Sequence, residues 1–246
     1  MSKPWFEQWF NTKYYHILYK NRDFDEAELF IDNLYNFMGL SNEYVCDLAC
    51  GKGRHSVYLN KKGLRVLGLD LAAQSIAEAK KHENGALHFD THDMRDVYKD
   101  EKFDVVFNLF TSFGYFDDQS DNLQVLKSVH QMLQPGGRVL IDFLNAKYTV
   151  ANLVEDEVKE VEGIEFHIQR NFNGSHILKN IQFTAEGKDF DYTEKVQAVS
   201  YDDFNRLLTE AGFKIETTFG DFKLNTFDEE HSERLIIVAK KQDGAN

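Results

Sequence analysis

Residues 44–59, Y-V-C-D-L-A-C-G-K-G-R-H-S-V-Y-L, constrain the fold more than any other stretch of this chain. Residues 45–48 form a short apolar run of the kind that makes a strand buried on both faces. The run ends in a small-residue turn holding Gly51 and Gly53. A helical pattern follows, with Val57 and Leu59 apolar and Arg54, Asn60 and Lys61 polar. Strand, glycine turn and helix in that order let backbone approach a ligand closely, with N–H groups at the helix start facing an anionic part of it. A second apolar run, residues 66–69, ends in Asp70, 17 residues after Gly53. An acid at the end of a second strand is where a ribose diol is held by two hydrogen bonds. Ser56 stands where G-x-G-x-x-G has its third glycine, which argues against a dinucleotide.

The rest of the chain alternates around that unit. Residues 72–80 read as a helix, 87–89 as a third strand, 103–109 as a fourth, 119–133 as a helix stopped by Pro135-Gly136-Gly137, and 139–143 as a fifth strand. Such alternation predicts an α/β fold with a doubly wound, Rossmann-like parallel sheet, whose ligands sit outside the carboxyl ends of the strands. From 157 to 200 the pattern changes to partial alternation with N-G and E-G-K turns, the signature of antiparallel hairpins. A helix at 201–211 and strands at 214–220 and 234–240 complete the chain; the acidic stretch 221–232 between them is expected to approach the mouth of the site. The predicted organisation is an N-terminal helical lid (1–40), a core (41–150 and 201–240) and an antiparallel β insertion (151–200).

Residues 4–38 are helical in pattern and rich in rings. Trp5, Phe6, Trp9 and Phe10 read as packing residues. Tyr15, Tyr19 and Arg22 share one helix stripe, and two phenols with a guanidinium suit a lid over a polar ligand better than a dry core. Asp90, His92, Asp93 and Met94, after the third strand, offer groups for an adenine edge.

A net charge of −13 argues against a chain built to grip a phosphate backbone, so nucleic acid is not an expected partner. Cys46 and Cys50 are too few for a metal site and badly placed for a disulfide, so both read as small buried side chains. The aromatic, charge-interrupted N-terminus does not read as a signal peptide, and no apolar run reaches membrane-spanning length, so a cytoplasmic location is the default.

The motifs in order are D-L-A-C-G-K-G-R-H, G-L-D-L, H-D-M-R-D, F-D-V-V-F-N-L-F-T-S-F-G-Y-F, L-Q-P-G-G-R-V-L-I-D and Y-D-D-F-N-R-L-L-T-E-A-G-F. Together they resemble the class I S-adenosylmethionine-dependent methyltransferases that modify small molecules. Y-Y-H-I-L-Y-K-N-R, S-F-G-Y and S-E-R are similar to the branch with sugar-nucleotide amine N-methyltransferases. The resemblance implies seven strands with the last antiparallel, S-adenosyl-L-methionine as cofactor and S-adenosyl-L-homocysteine as product. It also implies roles. Asp47, Ala49, Gly51 and Gly53 would shape the turn around the methionine part. Asp70 would hold the ribose and Leu71 cover the adenine, with Asp93 and Met94 at its edge. Asn108 and Leu109 would lie under the sulfonium, and Tyr15, Tyr19 and Arg22 would close from the N-terminal helix. Tyr19 and Tyr115 would orient the acceptor, and Tyr115 and Arg234 would face it, Arg234 favouring an anionic group unless it pairs with Glu229, Glu230 or Glu233 at the surface.

Transfer from a sulfonium is an in-line displacement that needs positioning and exclusion of water. No catalytic dyad stands out, which suits an amine or an acidic hydroxyl as acceptor. A small-molecule methyl acceptor and a homodimer through the insertion are the expected partners. A non-catalytic S-adenosylmethionine-binding regulator and a dinucleotide-dependent oxidoreductase remain as alternatives.

Overall fold

The structure, a computed structural model, describes residues 5–20 and 24–242. Helices α1 (Trp5–Phe10), α2 (Lys13–Leu18) and α3 (Phe24–Met38) lead into β1 (Tyr44–Leu48), α4 (Arg54–Lys61), β2 (Arg65–Asp70), α5 (Ala73–Ala79) and β3 (Leu87–Thr91). Next come β4 (Phe103–Asn108), α6 (Gln119–Met132), β5 (Leu133–Leu144) and α7 (Ala146–Ala151). Strands β6 (Asp156–Val161), β7 (Ile164–Phe172), β8 (His176–Ala185) and β9 (Lys188–Gln197) form the insertion; α8 (Tyr201–Glu210), β10 (Phe213–Phe219) and β11 (Arg234–Lys241) close the fold.

The predicted doubly wound sheet is present with seven strands in the order β10-β11-β5-β4-β1-β2-β3. Strands β1 to β5 pair in parallel, and β11 runs antiparallel to both β5 and β10. Their apolar runs are buried on both faces, Cys46 and Leu48 against α6 and α8, Val45 and Cys50 against α3, α4 and α5. Both cysteines are buried and free, as the sequence suggested. The strand order reverses between β1 and β4, which opens a crevice at their carboxyl ends. Local chemistry agrees with the global fold: Asp118 caps α6 by accepting from the Ser120 N–H, and Ser200 with Asp203 forms a capping box on α8.

The insertion is a separate four-stranded antiparallel sheet, β6-β7-β8-β9. It has one strand more than the three alternating segments, 162–170, 176–186 and 190–199, that the pattern offers: D-E-V-K-E-V, ahead of them, forms the edge strand β6, which buries only Val161. Glu162-Gly163 and Glu186-Gly187 both take positive φ at two successive residues, the geometry of two-residue hairpin turns that match strand twist. The N-terminal segment differs too, because the helix breaks after Phe10 and Thr12 caps the next one. Its hydroxyl donates to the Trp9 carbonyl and accepts from the Tyr15 N–H, which starts α2. Trp9, Tyr14 and Leu18 share a core with Phe166, Ile168, Ile181 and Phe183, so α1 and α2 pack on the insertion. Residues 221–232 fold back instead of reaching the crevice: Asn145 Nδ2 donates to the Glu229 and Ser232 carbonyls at 2.9 and 2.8 Å. No described helix is long and apolar enough to cross a membrane.

Candidate active site

The turn after β1 is bound to the end of β2 through Asp70. The Gly51 N–H donates to Asp70 Oδ2 at 2.8 Å and the Ala72 N–H to Oδ1 at 2.7 Å. Burial raises the Asp70 carboxyl above its usual value, and these two donors work against that rise. Gly53 begins α4 with φ +79°, and a Cβ there would lie 2.6 Å from the Phe89 ring. Behind the turn Asp47 is buried and accepts from Ser56 Oγ at 2.5 Å. Ser56, the apparent gap in the glycine pattern, is thus the partner of Asp47. Burial, partly offset by Ser56, pushes the Asp47 carboxyl up to about 6.

A cavity of about 400 Å³ opens above this turn. Its floor is Leu48–Lys52 with Asp70, Leu71, Ala72 and Ser75; one end is His92, Asp93 and Met94; the roof is Phe6, Phe10, Tyr15, His16, Tyr19 and Lys20. Arg54, His55, Leu109, Phe110, Ser112, Tyr115 and Phe116 form the remaining wall. A continuous series of rings runs from the wall into the roof, with Tyr115 5.5 Å from Phe10, Phe10 4.7 Å from Tyr15, and Tyr15 4.9 Å from Tyr19. Asp93 is held by a two-point fork from Arg95, at 3.1 and 2.6 Å. Burial works against its charge, but Arg95 keeps the carboxyl below its usual value.

Of the residues singled out in the sequence, Tyr15, Tyr19, Ala49, Gly51, Asp70, Leu71, Asp93, Met94, Leu109 and Tyr115 line the cavity. Asp47, Gly53 and Asn108 stand behind its wall; Asn108 Nδ2 donates to the Leu48 carbonyl at 3.0 Å. Arg22 lies outside the described residues. Arg234 is not at the cavity, and neither expected partner class claims it. Its Nε and terminal nitrogen donate to buried Asp142 at 2.9 and 2.6 Å, and the same nitrogen donates to Thr111 Oγ1 at 3.0 Å. Asp142 Oδ2 in turn accepts from the Phe110 N–H at 2.9 Å. The pair therefore fixes the turn at Phe110 and Thr111, both at positive φ (64° and 58°), and Phe110 forms part of the cavity wall. Phe6 and Phe10, read as packing residues, form roof; only Trp9 is wholly core. Arg54, read only as a polar helix position, and His55 also line the cavity, where G-K-G-R-H puts them one and two residues past the second glycine.

Comparison with known proteins bears on this geometry. A family profile described as a methyltransferase domain matches residues 45–137. Over 209 residues the chain is 30% identical to the putative methyltransferase YqeM of Bacillus subtilis (strain 168), covering 80% of this chain and 83% of that protein. The chain belongs to the S-adenosylmethionine-dependent methyltransferases. This methyltransferase is also 27% identical over 234 residues to the glycine/sarcosine N-methyltransferase of Aphanothece halophytica, covering 89% of this chain and 83% of that one. Its fold is similar to a crystal structure of an S-adenosylmethionine-dependent methyltransferase from Clostridium acetobutylicum, with a TM-score of 0.79 at 20% identity, covering 94% and 96% of the two chains. Membership in this family removes the dinucleotide-dependent alternative.

Proposed function

We propose that this methyltransferase moves the methyl group of S-adenosylmethionine to the nitrogen of a small polar amine. The observation that carries the reading is one cavity joining the Asp70 and Asp93 ends of the floor to a ring-lined roof. The floor fits the cofactor. Asp70 lines the cavity with a carboxylate already aimed by two backbone donors, and a Cβ at Gly51 would meet only open space. Bound there, the cofactor supplies a methyl group on a positively charged sulfur.

In this reading Asp70 holds the ribose hydroxyls, Leu71 covers an adenine face and Asp93 with Met94 meets its edge. Ala49 and Gly51 face the methionine part, with Asp47 and Gly53 shaping the turn from behind. Leu109 borders the sulfur side, and Asn108 holds β4 to β1 beneath it. Tyr15, with Arg22 on the strength of the sequence resemblance, closes from the N-terminal segment. Tyr19 and Tyr115 orient the acceptor. A neutral amine that accepts a methyl group becomes a cation, so positive charge stays in the chamber, where the faces of aromatic rings favour it. The name of the Aphanothece relative supports nitrogen over oxygen. The N-terminal helices and the insertion together exclude water, as displacement at a sulfonium requires.

The test is methyl transfer from labelled S-adenosylmethionine to glycine, sarcosine, an amino-sugar nucleotide and a catechol. Label on one of the amines supports the reading; label on the catechol alone overturns it.

A further inference from the structure

The S-F-G-Y-F loop after β4 brings Tyr115 to the cavity wall, yet the residue that grips this loop belongs to the insertion. Gln197, the last residue of β9, is buried. Its backbone N–H donates to the Gly114 carbonyl and its Nε2 to the Phe116 carbonyl, both at 2.8 Å. One residue thus holds the backbone on either side of Tyr115, which restrains both where the Tyr115 Cα stands and which way its side chain leaves. The Gln197 amide is itself aimed. Asn122 on α6, also buried, donates from Nδ2 to Gln197 Oε1 at 2.7 Å, so the Gln197 nitrogen is turned to Phe116. Two residues back, Lys195 Nζ donates to Asp117 Oδ1 at 2.5 Å, so one side of β9 meets the loop twice. The other side carries Glu194, which accepts from Trp9 Nε1 at 2.8 Å and from the Tyr19 hydroxyl at 2.6 Å. Strand β9 therefore ties the roof to the wall. A buried amide pair adds little net stability over apolar side chains of the same shape, but it specifies a single arrangement.

We propose that Gln197 and Asn122 are positioning residues for the methyl acceptor: Gln197, aimed by Asn122, holds the Gly114 and Phe116 carbonyls and so sets where Tyr115 stands across the cavity from the roof. The inference rests on the proposed use of the cavity for cofactor and amine, with Tyr115 at the acceptor. It makes β9 a spacer between Tyr19 and Tyr115, and gives the insertion a part in shaping the acceptor chamber as well as in covering it.

The probe is sinefungin, a cofactor analogue in which an amine-bearing carbon replaces the methylated sulfur, compared by calorimetry with S-adenosylhomocysteine, which has no such amine. Tyr115→Phe removes the hydroxyl that meets the amine. Gln197→Met keeps the length of the side chain and removes both of its bonds, while the backbone N–H still reaches Gly114. Asn122→Leu leaves Gln197 in place and removes only what aims it. We expect sinefungin to weaken about tenfold in Tyr115→Phe and Gln197→Met and severalfold in Asn122→Leu, with S-adenosylhomocysteine unchanged. Combining Tyr115→Phe with Gln197→Met should add nothing. Sinefungin binding that responds to Tyr115→Phe but not to Gln197→Met or Asn122→Leu would overturn the inference alone. So would equal weakening of both ligands or additive losses, either of which would leave the amide pair as a structural contact. Sinefungin binding indifferent to Tyr115→Phe would overturn the acceptor role of Tyr115 and the inference with it. Failure of the wild-type chain to bind S-adenosylhomocysteine would overturn the cofactor reading itself.

Discussion

Replacing Arg234 with Met strips the cation from a carboxylate that has no access to water. Asp142 is 0% exposed in its side chain and Arg234 21%, so solvent screens the pair little. Breaking a buried pair from one side costs about 3–5 kcal/mol, because the remaining charge is uncompensated. Asp142 keeps the Phe110 N–H, which places the expected loss near the lower end. The sign of the pH dependence follows from the direction of its shift. Burial already raises the Asp142 carboxyl above its usual value and Arg234 pulls it back down, so in the variant it climbs further. A carboxyl raised on folding favours the fold when protonated, and that contribution is lost as pH rises through its folded value. Arg234→Met should therefore be most destabilising at pH 8 and less so at pH 5. Adding Asp142→Asn should recover most of the loss at pH 8. Urea unfolding followed by tryptophan fluorescence at the two pH values measures the wild type and both variants. A loss below about 1 kcal/mol, or one indifferent to pH and to Asp142→Asn, would refute the buried-pair account.

Gly68→Ala in β2 should cost about 1–3 kcal/mol, since the new methyl would sit 2.4 Å from Phe89; thermal melts with and without Phe89→Leu should show partial rescue. Asp47, raised to about 6, should make stability fall by up to about 3 kcal/mol as pH climbs from about 4 to about 6, a slope that Asp47→Asn should flatten in the same unfolding assay. Hydrogen exchange should slow at residues 13–20 when S-adenosylhomocysteine is added, and because these residues share a core with the insertion, β8 and β9 should slow with them. Protection confined to the floor of the cavity would count against a closing roof.

The sheet was legible because its signals are local. Residues 45–48, 66–69 and 103–109 are apolar runs whose burial needs only the period of a strand, and the turn into α4 carries its own glycine and the start of α6 its own cap. The floor of the site was legible for the same reason, since Gly51 and Asp70 lie where strand ends must put them. The rest depends on contacts between residues far apart in the chain. Nothing in S-E-R indicates that Arg234 meets Asp142 rather than a neighbouring glutamate, because the register of β5 against β11 decides it. Glu194 likewise sits among polar residues of an alternating strand, and only the docking of α1 and α2 turns it into the hub of a half-buried network. Strand β6 was missed because its charges face water on an edge, where strand and loop have the same composition.

The shared core of α1, α2 and the insertion also has a consequence for how the chain comes together during synthesis. Trp9 and Tyr19 meet Glu194 across 185 and 175 residues of intervening chain. On the ribosome the N-terminal rings emerge first and their packing partners come after the strands of the sheet up to β5, so for most of synthesis Trp9, Tyr14 and Leu18 have no surface to bury against. The parallel sheet between them can form from closer contacts in the meantime. Closing so long a loop is slow and leaves apolar surface exposed while it waits, so the N-terminal rings are the part of the roof open longest to wrong contacts during synthesis.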